Sequence, residues 1–149
     1  MAIDLKQVVD AGIRKLMGTR CFTTVVSAIG SNTAKIKTTA VAQYCIGGKM
    51  YTKAATDDFW VLSGTVIPAS GTGRFLLCID AAGAASVVQG TATGYPTEPA
   101  DTVCPLAEVK IVMGSGGAFT PGTTALTGGN IGTVTYTDLS IIPATGIGA

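Results

Sequence analysis

The spacing of hydrophobic positions changes once along the chain. Over residues 3–17, Leu5, Val8, Val9, Gly12, Ile13 and Leu16 fall on one helical stripe, with Lys6, Asp10, Arg14 and Lys15 largely off it. Asp4 and Gln7 stand at capping-box spacing, and Gly18 is placed to end the element. The pattern predicts an amphipathic N-terminal helix. A helix of that length is marginal alone in water. Buried apolar side chains at about 1.5–3 kcal/mol each hold it against a surface. That surface is either its own β-domain or a neighbouring subunit, and the residues leave both open.

From Cys21 onward Thr, Val, Ala and Gly dominate, and short β-runs alternate with turn residues. Strands are predicted over 22–29, 33–39, 41–46, 50–54, 59–62 and 65–67. Gly47-Gly48, between Tyr44-Cys45-Ile46 and Lys49-Met50-Tyr51, is a two-residue hairpin signal. Ala34, Ile36 and Thr38 alternate with Lys35 and Lys37, as in a half-exposed strand. The centre of the pattern is Arg74–Gly90, two apolar strands joined by a tight Asp80–Gly83 turn. Phe75–Ile79 is a continuous apolar run, predicting cover on both faces. Asp80 can accept from amides ahead of it, and Gly83 can take positive φ.

A Pro- and Gly-rich loop follows over 90–101. Cys104–Met113 is a strand pair or one bent strand, with Leu106, Val109, Ile111 and Met113 as core. Residues 114–126 form a long turn anchored by Phe119, and 133–142 close the sheet. No helix of crossover length separates strands, which argues against a parallel α/β sheet; the turn spacing favours a sandwich, jelly roll or small barrel. The predicted organisation is a helical arm over 1–20, a β-sandwich domain over 21–143 and a tail over 144–149.

Composition narrows the function classes. Of 149 residues, 47% are hydrophobic and only 13% charged. Ordinary globular chains carry about 25% charge, so a monomer is poorly protected from self-association. No apolar run approaches the roughly 20 residues of a membrane span, and the first residues lack the apolar core of a secretory leader. The simplest resolution is a surface covered by other protein chains. A net charge of +1 without a basic block argues against nucleic acid. Cys21, Cys45, Cys78 and Cys104 form no C-x-x-C pair and read as buried reduced thiols. Histidine is absent, which removes His-based triads and His metal sites.

Candidate chemistry is thin. Asp57-Asp58 beside Lys53 could be an acid pair, but adjacent strand residues point opposite ways, and a solvated turn before Phe59-Trp60 is the plainer reading. Asp80 lacks the further oxygen ligands of a calcium loop. Glu98 and Asp101 flank the Pro-rich loop, and Glu108 and Lys110 share a strand face where they can pair. The G-S-G-G at 114–117 lacks the Lys-Thr or Lys-Ser of a phosphate loop. Neither Ser63 nor Ser115 sits in a nucleophile elbow. Trp60, Tyr44, Tyr51, Tyr95 and Tyr136 could line a glycan shelf, or serve as core and interface residues. No catalytic, cofactor-binding or metal-binding residue is assigned, and the chain is read as a non-enzyme without cofactor or small-molecule substrate.

Five stretches carry a likeness: the amphipathic start, then M-Y-T-K-A-A-T-D-D-F-W at 50–60, R-F-L-L-C-I-D-A-A-G at 74–83, C-P-L-A-E-V-K-I-V at 104–112 and F-T-P-G-T-T-A-L at 119–126. In these the chain resembles the capsid decoration, or cement, proteins of tailed bacteriophages. The resemblance implies a jelly roll or related β-sandwich, a homodimer or homotrimer, on the outer surface of a virion assembled in the host cytoplasm. It implies the major capsid protein as partner, clamped subunit to subunit. The contact surfaces expected on physical grounds are the helix face (Leu5, Val8, Val9, Ile13, Leu16), the loop at Tyr95-Pro96, and Ile141, Ile142 and Ile147 near the C-terminus. Each has an intramolecular core as its alternative. The competing functional reading is a tail-fibre or tailspike module that binds glycan, which requires exposed aromatics.

Overall fold

A computed structural model describes residues 18–23, 27–91, 96 and 102–140. The expected N-terminal helix, and the segments beyond residue 140, lie outside the described residues. Within them the chain is all-β: β1 (Arg20–Cys21), β2 (Ser27–Ile29), β3 (Lys35–Thr38), β4 (Ala42–Ile46), β5 (Lys49–Lys53), β6 (Trp60–Val61), β7 (Thr72–Asp80), β8 (Ala85–Gln89), β9 (Val103–Met113) and β10 (Ile131–Asp138). They form three antiparallel sheets, ordered β1-β4-β5, β10-β9-β7-β8 and β2-β3-β6. The sheets share one apolar core, an arrangement consistent with a β-sandwich.

The hairpins follow from their turn residues. Gly47 and Gly48 sit at φ 55° and 81°, a pair of positive values that matches the right-handed twist of the flanking strands. Tyr44 therefore faces Tyr51 across β4–β5, and their rings stack at 5.6 Å. At the β7–β8 turn, Asp80 Oδ1 accepts from the amides of Ala82 (2.9 Å) and Ala84 (2.8 Å), and Gly83 takes φ 80°. The expected Arg74–Gly90 hairpin is thus formed. Its apolar run is divided between the faces: Phe75, Leu77 and Ile79 join the common core, while Cys78 is also fully buried and Leu76 half-buried.

Cys104–Met113 is one strand, not two. Leu77 pairs with Ala107 but Cys78 pairs with Pro105, so Leu106 is an extra residue in β9. This bulge lets adjacent Leu106 and Ala107 both turn inward and changes the parity of the buried positions. Cys104 and Leu106 are buried before it, and Val109, Ile111 and Met113 after it. Pro105 costs no rung to β10, because that pairing ends at Asp138–Ala107.

The sheet β2-β3-β6 contributes Ile36 and Trp60, both fully buried, to the core. Trp60 Nε1 donates to the Cys78 carbonyl at 2.9 Å and ties β6 to β7. Lys35 and Lys37 alternate with buried Ile36 and Thr38 as the pattern predicts. Three expectations are corrected. Of the strand expected over 22–29, the described residues form only β2 (Ser27–Ile29); Phe22 and Thr23 are not in a strand, 24–26 lie outside the described residues, and β1 precedes them at Arg20–Cys21. The strand expected over 65–67 reduces to a single bridge, Ile67–Phe119. Short Thr- and Pro-flanked segments do not sustain a ladder once their one apolar anchor is buried. The closing strand begins at Ile131 and ends at Asp138, where the Asp138 side chain instead accepts from the Ser140 amide (3.1 Å) and hydroxyl (2.8 Å).

Candidate functional site

Asp57, Asp58, Asp80 and Glu108 are each tied to backbone or to a neighbouring side chain, while Glu98 and Asp101 lie outside the described residues. Asp57 Oδ1 accepts from the Ser31 amide at 3.1 Å, and Asp57 Oδ2 accepts from the Ser31 hydroxyl. Asp58 Oδ1 accepts from the Asn32 amide at 2.9 Å, with Asp58 itself at φ 49°. The two carboxylates clamp the β2–β3 turn. The Ser31 hydroxyl, then the Ser31 amide, hold the Asp57 carboxyl below its ordinary value, with Lys37 adding to this. A side chain at Gly30 would place its Cβ 2.2 Å from Asp58 Oδ1, so the clamp needs a glycine there. Asp80 is likewise occupied with its turn.

Glu108 pairs with Arg74 of the adjacent strand β7 at 2.7 Å, and not with Lys110, which corrects the pairing expected from a shared face. Leu76 faces Glu108 and Arg74 faces Lys110 in the ladder, so Arg74 reaches Glu108 diagonally. The two side chains are 24% and 14% exposed, sheltered enough to strengthen the bond relative to a fully solvated pair.

The described members of the aromatic set do not form a shelf. Trp60 and Tyr44 are core residues, and the Tyr44 hydroxyl donates to the Asp80 carbonyl at 2.9 Å. Tyr51 is half-buried against Tyr44. Tyr136 is half-buried at the sheet edge, with a buried hydroxyl that has no hydrogen-bond partner, and burial raises it to about 12. Tyr95 lies outside the described residues.

All four cysteines are free and buried. They come from β1, β4, β7 and β9 and converge. Burial raises the Cys104 thiol to about 12, and the nearby Cys21, Cys78 and Cys45 add to the rise. Burial raises Cys21 and Cys78 to about 11. Thiols held protonated in this way are poor nucleophiles. No group of three or more His, Cys, Asp or Glu among the described residues is placed to hold a metal ion. No helix among them is long and apolar enough to cross a membrane.

A cavity of about 70 Å³ lies between Thr65–Pro68 and the ends of β7 and β8. Ligand pockets run to roughly 300–1,000 Å³. The side chain of Gln89 occupies its rim, accepting from the Thr65 amide at 2.5 Å and donating to the Thr65 carbonyl at 2.9 Å. The cavity is a seam in the packing around this bond pair.

Of the contact residues expected from the sequence, only Pro96 is described, and it is half-buried. Leu5, Val8, Val9, Ile13, Leu16, Tyr95, Ile141, Ile142 and Ile147 lie outside the described residues. The structure adds exposed apolar side chains not singled out by pattern: Val41, Met50, Val61, Val66 and Leu139, each 39–53% exposed. Met50 lies on β5, Val61 on β6 and Leu139 beside β10, so every sheet presents one. Their only signal in the sequence is an apolar residue on the outward parity of a strand or next to a turn.

Over the described residues the chain is all-β, and Asp57, Asp58 and Asp80 serve turns while Arg74 and Glu108 pair across strands. No protein-family model, no curated protein and no solved structure matches the chain.

Proposed function

We propose that this chain is a non-enzymatic structural protein of a tailed-bacteriophage virion, a cement protein that binds the outside of the capsid and clamps neighbouring major capsid subunits. The β-domain on this reading is a jelly roll, with the four-stranded sheet facing the two smaller ones across the core. Contacts of β1 and β4 with β9, and of β6 with β8, support that placement.

The observation that carries the reading is sparse charge combined with exposed apolar side chains at every sheet. Such a surface is suited to several modest contacts on several neighbours. Contacts on neighbours held at fixed spacing combine as avidity. Because each is made only on the assembled shell, binding stabilises that state by mass action. The N-terminal stripe, the Tyr95-Pro96 loop and Ile141, Ile142 and Ile147 would add contact area of the same kind.

The test is binding of the purified protein to empty expanded capsids. Co-sedimentation with shells and a raised shell melting temperature are expected. Absence of both ends the proposal, and binding to a glycan array instead would favour a receptor-binding module. Removing residues 1–18 separates the two roles of the arm: loss of shell binding with the domain still folded assigns it to the partner surface.

A further inference from the structure

We infer that β10 is a self-pairing edge, through which two copies of the chain form a dimer about a two-fold axis at Thr135. Among the described residues β10 ends its sheet, with β9 on one side only. The Leu139 amide donates to the Leu106 carbonyl at 3.1 Å, continuing the register that pairs Asp138 with Ala107. Alternate residues of an antiparallel strand bond to alternate sides. Thr133, Thr135 and Thr137 therefore bond to β9, and the amides and carbonyls of Val134 and Tyr136 face outward. β2 comes near β10 but exchanges no rung with it.

Proteins usually guard such an edge with lysine, proline or a short strand. The edge at β5 is guarded: a two-fold at Tyr51 would set Lys49 against Lys53 of the second copy. β10 has no charge from Ile131 to Thr137 and no proline. Its sequence T-V-T-Y-T is nearly palindromic about Thr135. Antiparallel pairing there sets Thr135 against its own copy and Thr133 against Thr137. On the other face Val134 meets Tyr136, an aromatic and β-branched pair that strands favour. Asp138 falls opposite Gly132, so no like charges meet. The same patch serves both copies, as a two-fold interface requires.

Thr135 would stand in a non-hydrogen-bonded pair with its copy, at a Cα separation of about 4.5 Å. That lies within the disulfide range of about 4.4–6.8 Å. The native cysteines are buried, so a thiol introduced at this exposed position reports alone. Light scattering of the full chain should give twice the chain mass. T135C should cross-link to a covalent dimer under mild oxidation. T135E faces Lys110 within its own chain but its own copy across the axis, and should be monomeric with unchanged Trp60 fluorescence. A monomeric wild type, a T135E dimer, or T135C that fails to cross-link would each overturn the inference. If T135E does not fold, T135C decides. All three measurements use protein in solution without shells, so dimerisation through β10 stands or falls independently of capsid binding.

Discussion

Trp60 is the largest fully buried side chain among the described residues. It fills the core between β6 and β7 and satisfies its indole N–H on the Cys78 carbonyl. Trp60→Phe leaves ring burial largely intact but removes the donor and some volume. The expected loss is about 1–3 kcal/mol of unfolding free energy, measured by urea titration. The thiols give a second prediction at this scale. Their ordinary value is 9.0, and burial holds Cys21 and Cys78 at about 11 and Cys104 at about 12. Below the ordinary value both folded and unfolded chains keep these protons, and the full contribution to stability is present. As pH rises from there toward the folded values, the unfolded chain releases protons that the core retains, so stability falls. Urea midpoints should drop as pH rises from about 9 toward about 11, and Cys104→Ala should flatten that slope. The buried character of these cysteines was legible in their apolar neighbours. Their convergence was not, because it depends on which strands become adjacent.

At the scale of elements, parity decides the result. The sequence pattern marks Leu106, Val109, Ile111 and Met113 as core, and an odd interval separates Leu106 from Val109. A regular strand cannot bury both, since alternate residues face opposite ways. The bulge at Leu106 resolves the conflict by inserting one residue against β7. Deleting Leu106 removes the extra residue and keeps the parity, whereas deleting Lys110 from the regular part of β9 should turn either 103–109 or 111–113 to the wrong face. The expected outcome is loss of cooperative unfolding and of near-UV circular dichroism. The hairpin turns were legible because their signals are local: Gly47-Gly48 and Asp80 with Gly83 need only their own neighbours. The 65–67 strand was overpredicted for the converse reason. Thr65 and Val66 carry β-propensity, but only Ile67 finds a partner across the core, in Phe119.

For the whole molecule, most pairings join residues distant in sequence: β1 with β4, β7 with β9, and Ile67 with Phe119. Loop closure precedes the contacts that repay it, so folding should be slow for the chain length, in roughly the millisecond-to-second range. Stopped-flow Trp60 fluorescence measures this directly. A microsecond phase carrying the full amplitude would contradict the topology. The proposed role also belongs to this scale. A surface with little charge and apolar residues on each sheet is suited to broad contact with other proteins. Among the edge strands, β10 lacks the flanking lysines that guard β5.

The sequence by itself determined the class of fold, the hairpin turns, the inward residues of β3 and β9, and the poverty of catalytic groups. All of these depend on residue identity and short-range spacing. Only the tertiary structure decided that Glu108 bonds Arg74, that the other three cysteines lie near enough to Cys104 to influence it, that Asp57 and Asp58 clamp a distant turn, and that β10 is left at an edge among the described residues. Those outcomes depend on strand order and register. Both are set by which apolar faces fit together around one core, a property of the assembled sheets that no single stretch of chain contains.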